Sequence, residues 1–120
     1  MLEKAHRLRK NAEFKFVYRY GKTYSNEWMI LRLLRLKDPR KRDQPARIGI
    51  SVSKKVGGAV VRNKVKRRIA ASLYHCADQL PEGTDLVFIA RQALRDADFG
   101  QTQGAVLRLL AKAKLYGPGS

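Results

Sequence analysis

Residues 47–69 read RIGISVSKKVGGAVVRNKVKRRI, and within them the period of the chain changes. From Arg47 to Ser53 the residues alternate, with Ile48, Ile50 and Val52 on one side and Gly49 and Ser51 on the other. A period of two predicts a strand with one buried face and one small, polar face. From Ala59 the spacing turns helical: Val61, Val65, Ile69, Ser72, Leu73, Cys76 and Leu80 share one stripe. That stripe predicts a helix over 59–79 whose apolar side enters the core. Between the two elements stands Lys54-Lys55-Val56-Gly57-Gly58. The glycine pair permits a tight turn and close backbone approach to a ligand, and the first N–H groups of the helix face outward as an anion site.

Downstream, Pro81 stops the helix and Asp85–Ala90 (DLVFIA) is a short apolar run, read as a strand buried on both faces. Strand, helix and strand form a β-α-β unit, so the strands at 47–53 and 85–90 are expected to be parallel. Asp98 is placed to cap a last helix with Thr102, Val106, Leu109, Leu110 and Ala113 facing inward. Upstream, Trp28–Leu36 reads as a strand with Arg32 and Arg35 on opposite faces. Residues 37–46 (KDPRKRDQPA) form a loop, and an extra strand pairing is expected near 22–26 or beside Pro39. Asn11 is expected to cap a short helix over 12–20, with Glu13 in its first turn and Gly21 past its end. Phe14, Phe16, Tyr18 and Tyr20 also alternate as a strand would, but the flanking caps favour the helix. The expected fold is one domain over 1–116, an α/β (α+β) two-layer sandwich. Its helices pack on a small mixed sheet in the order α-β-β-(β)-α-β-α, and residues 117–120 (GPGS) are a disordered tail.

The charge is as uneven as the period. The chain carries a formal +16, yet residues 1–68 hold 21 basic and 5 acidic residues while residues 69–120 hold five of each. An excess confined to one part of the chain points to a polyanion-binding surface. Nucleic acid is favoured over a membrane, because no segment pairs a basic face with a large insertable apolar one. Seven basic residues and no acidic one fall between Lys54 and Arg68: Lys54, Lys55, Arg62, Lys64, Lys66, Arg67 and Arg68. Asn63, Lys64 and Arg67 lie opposite the apolar stripe, with Lys66 and Arg68 at its margins. An ordinary solvated helix face would intersperse glutamates at i, i+4, and this one has none. Arg and Lys suit phosphate, and Asn63 suits a 2′-hydroxyl or base edge or simply holds the loop.

A nucleotide-binding P-loop fails for lack of G-x-x-x-x-G-K-[ST], and Phe14-Lys15-Phe16-Val17 departs from the octapeptide of RNA-recognition motifs at Glu13, Lys15 and Arg19. The single cysteine, Cys76, has no internal disulfide partner and reads as a small buried thiol in a reducing compartment. No apolar run reaches the length of a signal peptide or membrane span, so a cytoplasmic protein is expected. His6 and His75 read as surface or interface residues, and the scattered carboxylates offer no two-metal site. No catalytic residue is expected in the protein itself.

The run Ser51–Ile69 resembles the signature of the bacterial ribonuclease P protein subunit, with its "RNR" motif at Arg62-Asn63-Lys64. Arg7-Leu8-Arg9-Lys10-Asn11 through Phe14, Tyr18 and Gly21 resembles the N-terminus of that family, and Leu86–Arg91 its last strand. Two positions depart: Lys64 stands for the second arginine of the triplet and loses its bidentate geometry, and Ala70 stands where many members have arginine. The resemblance implies the fold of the second domain of ribosomal protein S5, with a left-handed β-α-β crossover. It implies a protein that binds the catalytic RNA, ribonuclease P RNA, and the 5′ leader of precursor tRNA, and assists removal of the leader. Catalysis would belong to the RNA, with Mg²⁺ held mainly there and no metal ligands in the protein. Lys54, Lys55, Arg62, Asn63, Lys64, Lys66, Arg67 and Arg68 would contact RNA, with Arg7, Arg9 and Lys10 as a basic N-terminal patch. Phe14, Tyr18 and Ser51 would line a leader-binding cleft between the first helix and the sheet. A ribosomal or general RNA-binding protein is the alternative.

Overall fold

In the computed structural model, which describes residues 2–38 and 43–116, four strands form a mixed sheet. They are β1 (Lys22–Ser25), β2 (Met29–Arg35), β3 (Arg47–Ser51) and β4 (Thr84–Ala90), in the spatial order β1-β2-β4-β3. The first two pairings are antiparallel and β3–β4 is parallel, as the β-α-β spacing required. Helix α1 spans Asn11–Tyr20, α2 spans Ala59–Tyr74 and α3 spans Phe99–Lys112. The extra strand is β1; of the alternative site beside Pro39, residues 39–42 lie outside the described residues, as does the tail at 117–120.

Alternation decides which side of the sheet each helix covers. Met29, Leu31 and Leu33 of β2 and Leu86 and Phe88 of β4 face α2 and α3, which bring Val65, Ile69, Leu73, Val106, Leu109 and Leu110 to one main core. Ile89 and Val87 of β4 and Leu34 of β2 point to the opposite side, where Val17 of α1 and Leu8 close a smaller cluster. Helices α2 and α3 thus make the helical layer of the sandwich, while the ten-residue α1 covers only part of the second face. Helix α3 begins as expected: Asp98 accepts from Gln101 N–H at 2.7 Å while the Gln101 side chain accepts from Asp98 N–H at 3.0 Å, a reciprocal capping box.

Several boundaries differ from the sequence reading: β2 is one residue shorter at each end and β4 begins one residue earlier, at Thr84. Lys10, not Asn11, is the N-cap of α1, because Glu13 reaches back to accept from Lys10 N–H at 3.2 Å and so takes over the capping role. Helix α2 stops at Tyr74 rather than running to 79. Cys76 N–H bonds to Leu73 O, and the chain tightens into a 3-10 turn over Ala77–Gln79 that still buries Cys76 and Leu80. Strand β3 ends at Ser51, and the buried Val52 and Val56 anchor the turn that leads to α2. In that turn only Gly57 is sterically required, since a Cβ there would stand 2.8 Å from a Val61 methyl, whereas Gly58 borders open space.

Arg47 fastens α1 to the sheet. Its guanidinium grips Asp85, its neighbour across the parallel pair, through Nε at 2.9 Å and Nη2 at 2.8 Å. Nη1 donates to Glu13 of α1. At the other end of α1, Arg32 of β2 donates to the carbonyl of Tyr18, placing a cation where helix carbonyls lack partners. Burial alone pushes the Glu13 carboxyl up, but the Lys10 N–H and the Arg47 guanidinium outweigh it and hold it below its ordinary 4.5.

Replacing Arg47 with Met strands the Asp85 carboxylate, which is only 4% exposed. The expected loss is about 3–5 kcal/mol of stability in urea denaturation, and adding Asp85→Leu should restore much of it. For Glu13, a depressed folded value means that its stabilisation is present above pH 4.5 and is lost as pH falls through the lower folded value. Glu13→Gln should therefore lower the urea midpoint at neutral pH and leave it unchanged in acid below that value. An equal deficit at both extremes would show that the ion pair is not what Glu13 contributes.

Candidate nucleic-acid interface

The chain before α1 runs alongside β3: Leu8 N–H bonds to Ile48 O at 2.9 Å, and Arg7 bridges to the same residue in parallel sense. His6, expected at the surface or an interface, is buried within the chain. Its Nδ1 lies 2.7 Å from Ala46 O and its Nε2 lies 2.8 Å from an Asp78 carboxylate oxygen, which pins this segment down. With the segment fixed, a cleft of about 270 Å³ opens between α1, β3 and α2. Its floor is Phe14, Gly49 and Ile50, and its far wall is Lys66, Arg67 and Ala70 of α2. The rim on the near side includes Arg7 and Arg9. Lys10 caps α1 and does not line the cleft.

Phe14 rests directly on the strand. A Cβ built on Gly49 would lie 2.4 Å from the Phe14 ring, so the ring occupies the space a side chain would fill. Tyr18, one turn on and 39% exposed, holds its ring centroid 6.3 Å from that of Phe14 but lies outside the cavity lining, so Phe14 alone gives the cleft its aromatic edge and Tyr18 stands beside it. Ser51 is half-buried on the same face of β3 as Gly49 but outside the cavity lining, so it stands beside the cleft rather than within it.

The basic residues of the turn and α2 separate into two kinds. Lys54, Lys55, Asn63, Lys64, Lys66 and Arg67 are exposed. Arg62 and Arg68 are half-buried: Arg68 donates to Ala97 O at 2.9 Å ahead of α3, and the Arg62 Nε is shielded from solvent. Lys66 and Arg67 belong both to the cleft and to a shallow groove on the outer face of α2 that they share with Val60 and Asn63. Sequence reasoning missed Val60 and Ala70 as parts of this surface. Val60, 70% exposed, was legible as an apolar residue off the buried stripe. Ala70 was legible only as a lost charge, whereas in the fold its small side chain leaves the cleft wall open.

Among the described residues no three carboxylate, imidazole or thiol groups converge to hold a metal. No helix among them is long and apolar enough to cross a membrane. A cationic helix beside an aromatic-edged cleft, on a small α+β scaffold, defines the class of RNA-binding proteins.

Comparison with known proteins narrows the class. The family model described as Ribonuclease P matches residues 2–114. The chain is 46% identical over 114 residues to the ribonuclease P protein component of Clostridium botulinum strain 657, covering 94% of this chain and 98% of that one. It is 43% identical over 115 residues to that of Clostridium novyi, covering 96% and 99%. The RNase P protein of Staphylococcus aureus superposes with a TM-score of 0.84 at 35% identity, covering 95% of this chain and all of the other. That of Thermotoga maritima gives 0.76 at 30% identity, with 92% and 98% covered. The chain belongs to the ribonuclease P protein family. It is thus a protein subunit of the endoribonuclease that processes tRNA 5′ ends, and its partner is ribonuclease P RNA.

Gly49→Ala should force the Phe14 ring off β3 and cost about 1–3 kcal/mol, as overpacking does. Combining it with Phe14→Ala should recover most of the loss in the same urea titration. Full stability in the single variant would mean that the ring is not seated as described.

Proposed function

We propose that the protein holds ribonuclease P RNA with the exposed cations of the 54–68 segment and receives the unpaired 5′ leader of precursor tRNA in the cleft beside Phe14. The observation that carries this reading is the Phe14–Gly49 contact beside Lys66 and Arg67: a flat aromatic edge and two cations converge on one groove. A base can stack on such an edge while its phosphate meets a cation, and stacking contributes roughly 1–3 kcal/mol per base. Arg7 and Arg9 supply further charge at the near rim, and Lys54, Lys55 and Lys64 extend the cationic surface beyond the cleft. Tyr18 continues the stacking edge, and Ser51 offers a hydroxyl at its end. The protein's part is to position RNA and neutralise charge. Bond cleavage belongs to the RNA with its Mg²⁺, and the site of action is the cytoplasm.

The half-buried arginines differ from the exposed cations. Arg68 joins α2 to the segment ahead of α3 and so acts first on the shape of the surface, whereas the Nε of the half-buried Arg62 has no hydrogen-bond partner within the described residues.

Cleavage of precursor tRNA by the catalytic RNA at low Mg²⁺, with and without this protein, tests the proposal. Stimulation is expected, and unchanged cleavage and precursor affinity would overturn it. Arg67→Ala should flatten the dependence of log K on log salt by about 0.9 and leave stability intact. Arg68→Ala should lower the melting temperature as well. Phe14→Ala should weaken leader-bearing precursor more than mature tRNA, and equal losses would remove the leader from the cleft.

A further inference from the structure

Helix α1 carries a second aromatic pair that the cleft does not use. Phe16 and Tyr20 are 52% and 56% exposed, one turn apart, with ring centroids 4.8 Å from each other at an interplanar angle of 53°. They stand on the flank of α1 away from Phe14 and Tyr18, over the end of β2. There they border a cavity of about 510 Å³, larger than the cleft itself. Leu34 and Leu36 supply its apolar floor, and Arg35, Lys37 and Asp38 its polar lining. The Arg19 guanidinium sits 5.5 Å from the Tyr20 ring centroid, so a third cation adjoins the pair. Single exposed apolar residues are commonplace on protein surfaces. Two adjacent rings edged by Arg19, Arg35 and Lys37 against one carboxylate are a different arrangement. An i, i+4 aromatic pair also helps a short helix to form, but that role requires neither the cavity nor the cations.

We infer that Phe16 and Tyr20 form a second base-stacking site, occupied by the distal part of the leader after it has passed the Phe14 cleft. The inference rests on the leader reading given under Proposed function. Three features select an unpaired RNA strand as the occupant. Exposed rings offer stacking faces that any base fits. The cations beside them match a phosphate backbone. And because one ten-residue helix carries both pairs, a strand leaving the cleft across α1 arrives at the second pair without leaving the protein. An α-helix with its side chains is only about 10–12 Å across, a span that a few nucleotides cover. The leader of a precursor would then be held at two points, and the second would be felt only by leaders long enough to reach it.

The test measures precursor affinity in the complete complex with ribonuclease P RNA, for a series of precursors with short and long unpaired leaders. Phe16→Ala/Tyr20→Ala should bind long-leader precursor roughly 5- to 100-fold more weakly and short-leader precursor normally. Phe16→Tyr/Tyr20→Phe should retain full affinity for both, because stacking survives the exchange. Arg35→Ala/Lys37→Ala should flatten the salt dependence by about 0.7 per lost phosphate contact, on the long leader alone. Phe14→Ala with the short leader reports on the cleft separately: if that arm shows no loss, the leader reading itself has failed. If Phe14→Ala weakens binding and Phe16→Ala/Tyr20→Ala does not, only the second site is wrong. Equal losses for long-leader, short-leader and leaderless substrates would move the contact to ribonuclease P RNA and overturn the inference. So would a change of sedimentation behaviour in the double variant with affinity intact, since the rings would then serve contact between two copies of this chain.

Discussion

Arg47 is the joint on which the geometry turns. Its planar fork meets the Asp85 carboxylate across the parallel strands and its third amine reaches Glu13 on α1. A buried ion pair adds little net stability, because desolvating two charges offsets most of their attraction. What it enforces is position. Slipping β4 by one residue would turn Asp85 to the main-core face of the sheet and Leu86 and Phe88 away from it, and a bare carboxylate in that core is prohibitive. The register of β3 on β4 and the seat of α1 are therefore set by one guanidinium. Strand β3 in turn supplies the floor of the cleft, so the site inherits its shape from that contact.

Because α1 is clamped by Arg47 at its first turn and met by Arg32 at its last, its side chains hold fixed directions. Val17 fills the small cluster beneath the helix, Phe14 lies on Gly49, and the remaining aromatics are left outward. Helix α2 is constrained in a comparable way from the other side of the sheet. Val65 and Ile69 hold it in the core while Lys66 and Arg67 reach around to the cleft wall. Cations and rings thus converge from helices on opposite faces of one sheet. They meet only because β3 lies at the edge, where both helices can be reached.

Much of this was legible in the sequence where a single physical rule dominated. The period of two around Ile48 and the helical stripe through Val65 and Ile69 gave the β-α-β unit, and Asp98 marked the start of α3. Ends were less legible, because they depend on which of several competing groups reaches a free N–H first. Glu13 outcompeted Asn11 at α1, and a 3-10 turn at Ala77–Gln79 absorbed the last residues of the expected helix. The basic residues were legible as a set but not individually. A helical wheel puts Arg68 at the margin of the apolar stripe, yet only the tertiary structure supplies the Ala97 carbonyl that engages it. His6 was misjudged for the same reason, since its partners Ala46 and Asp78 are distant in sequence.

The contrast between Arg67 and Arg68 bears on how an RNA surface tolerates sequence change. An exposed cation such as Arg67 or Lys64 interacts with phosphate through a potential that falls off gradually, so exchanging lysine for arginine alters geometry more than attraction. A half-buried arginine hydrogen-bonded to a carbonyl has one workable geometry, and lysine cannot reproduce its fork. By that argument Lys64, which is exposed, is a mild departure from the triplet of the family. Ala70 is a different matter. It removes a cation from the cleft wall and leaves an open, apolar patch beside Ile50 and Phe14. In this chain the cationic part of the cleft wall on α2 is therefore Lys66 and Arg67, and Phe14 is the aromatic ring that lines the cavity.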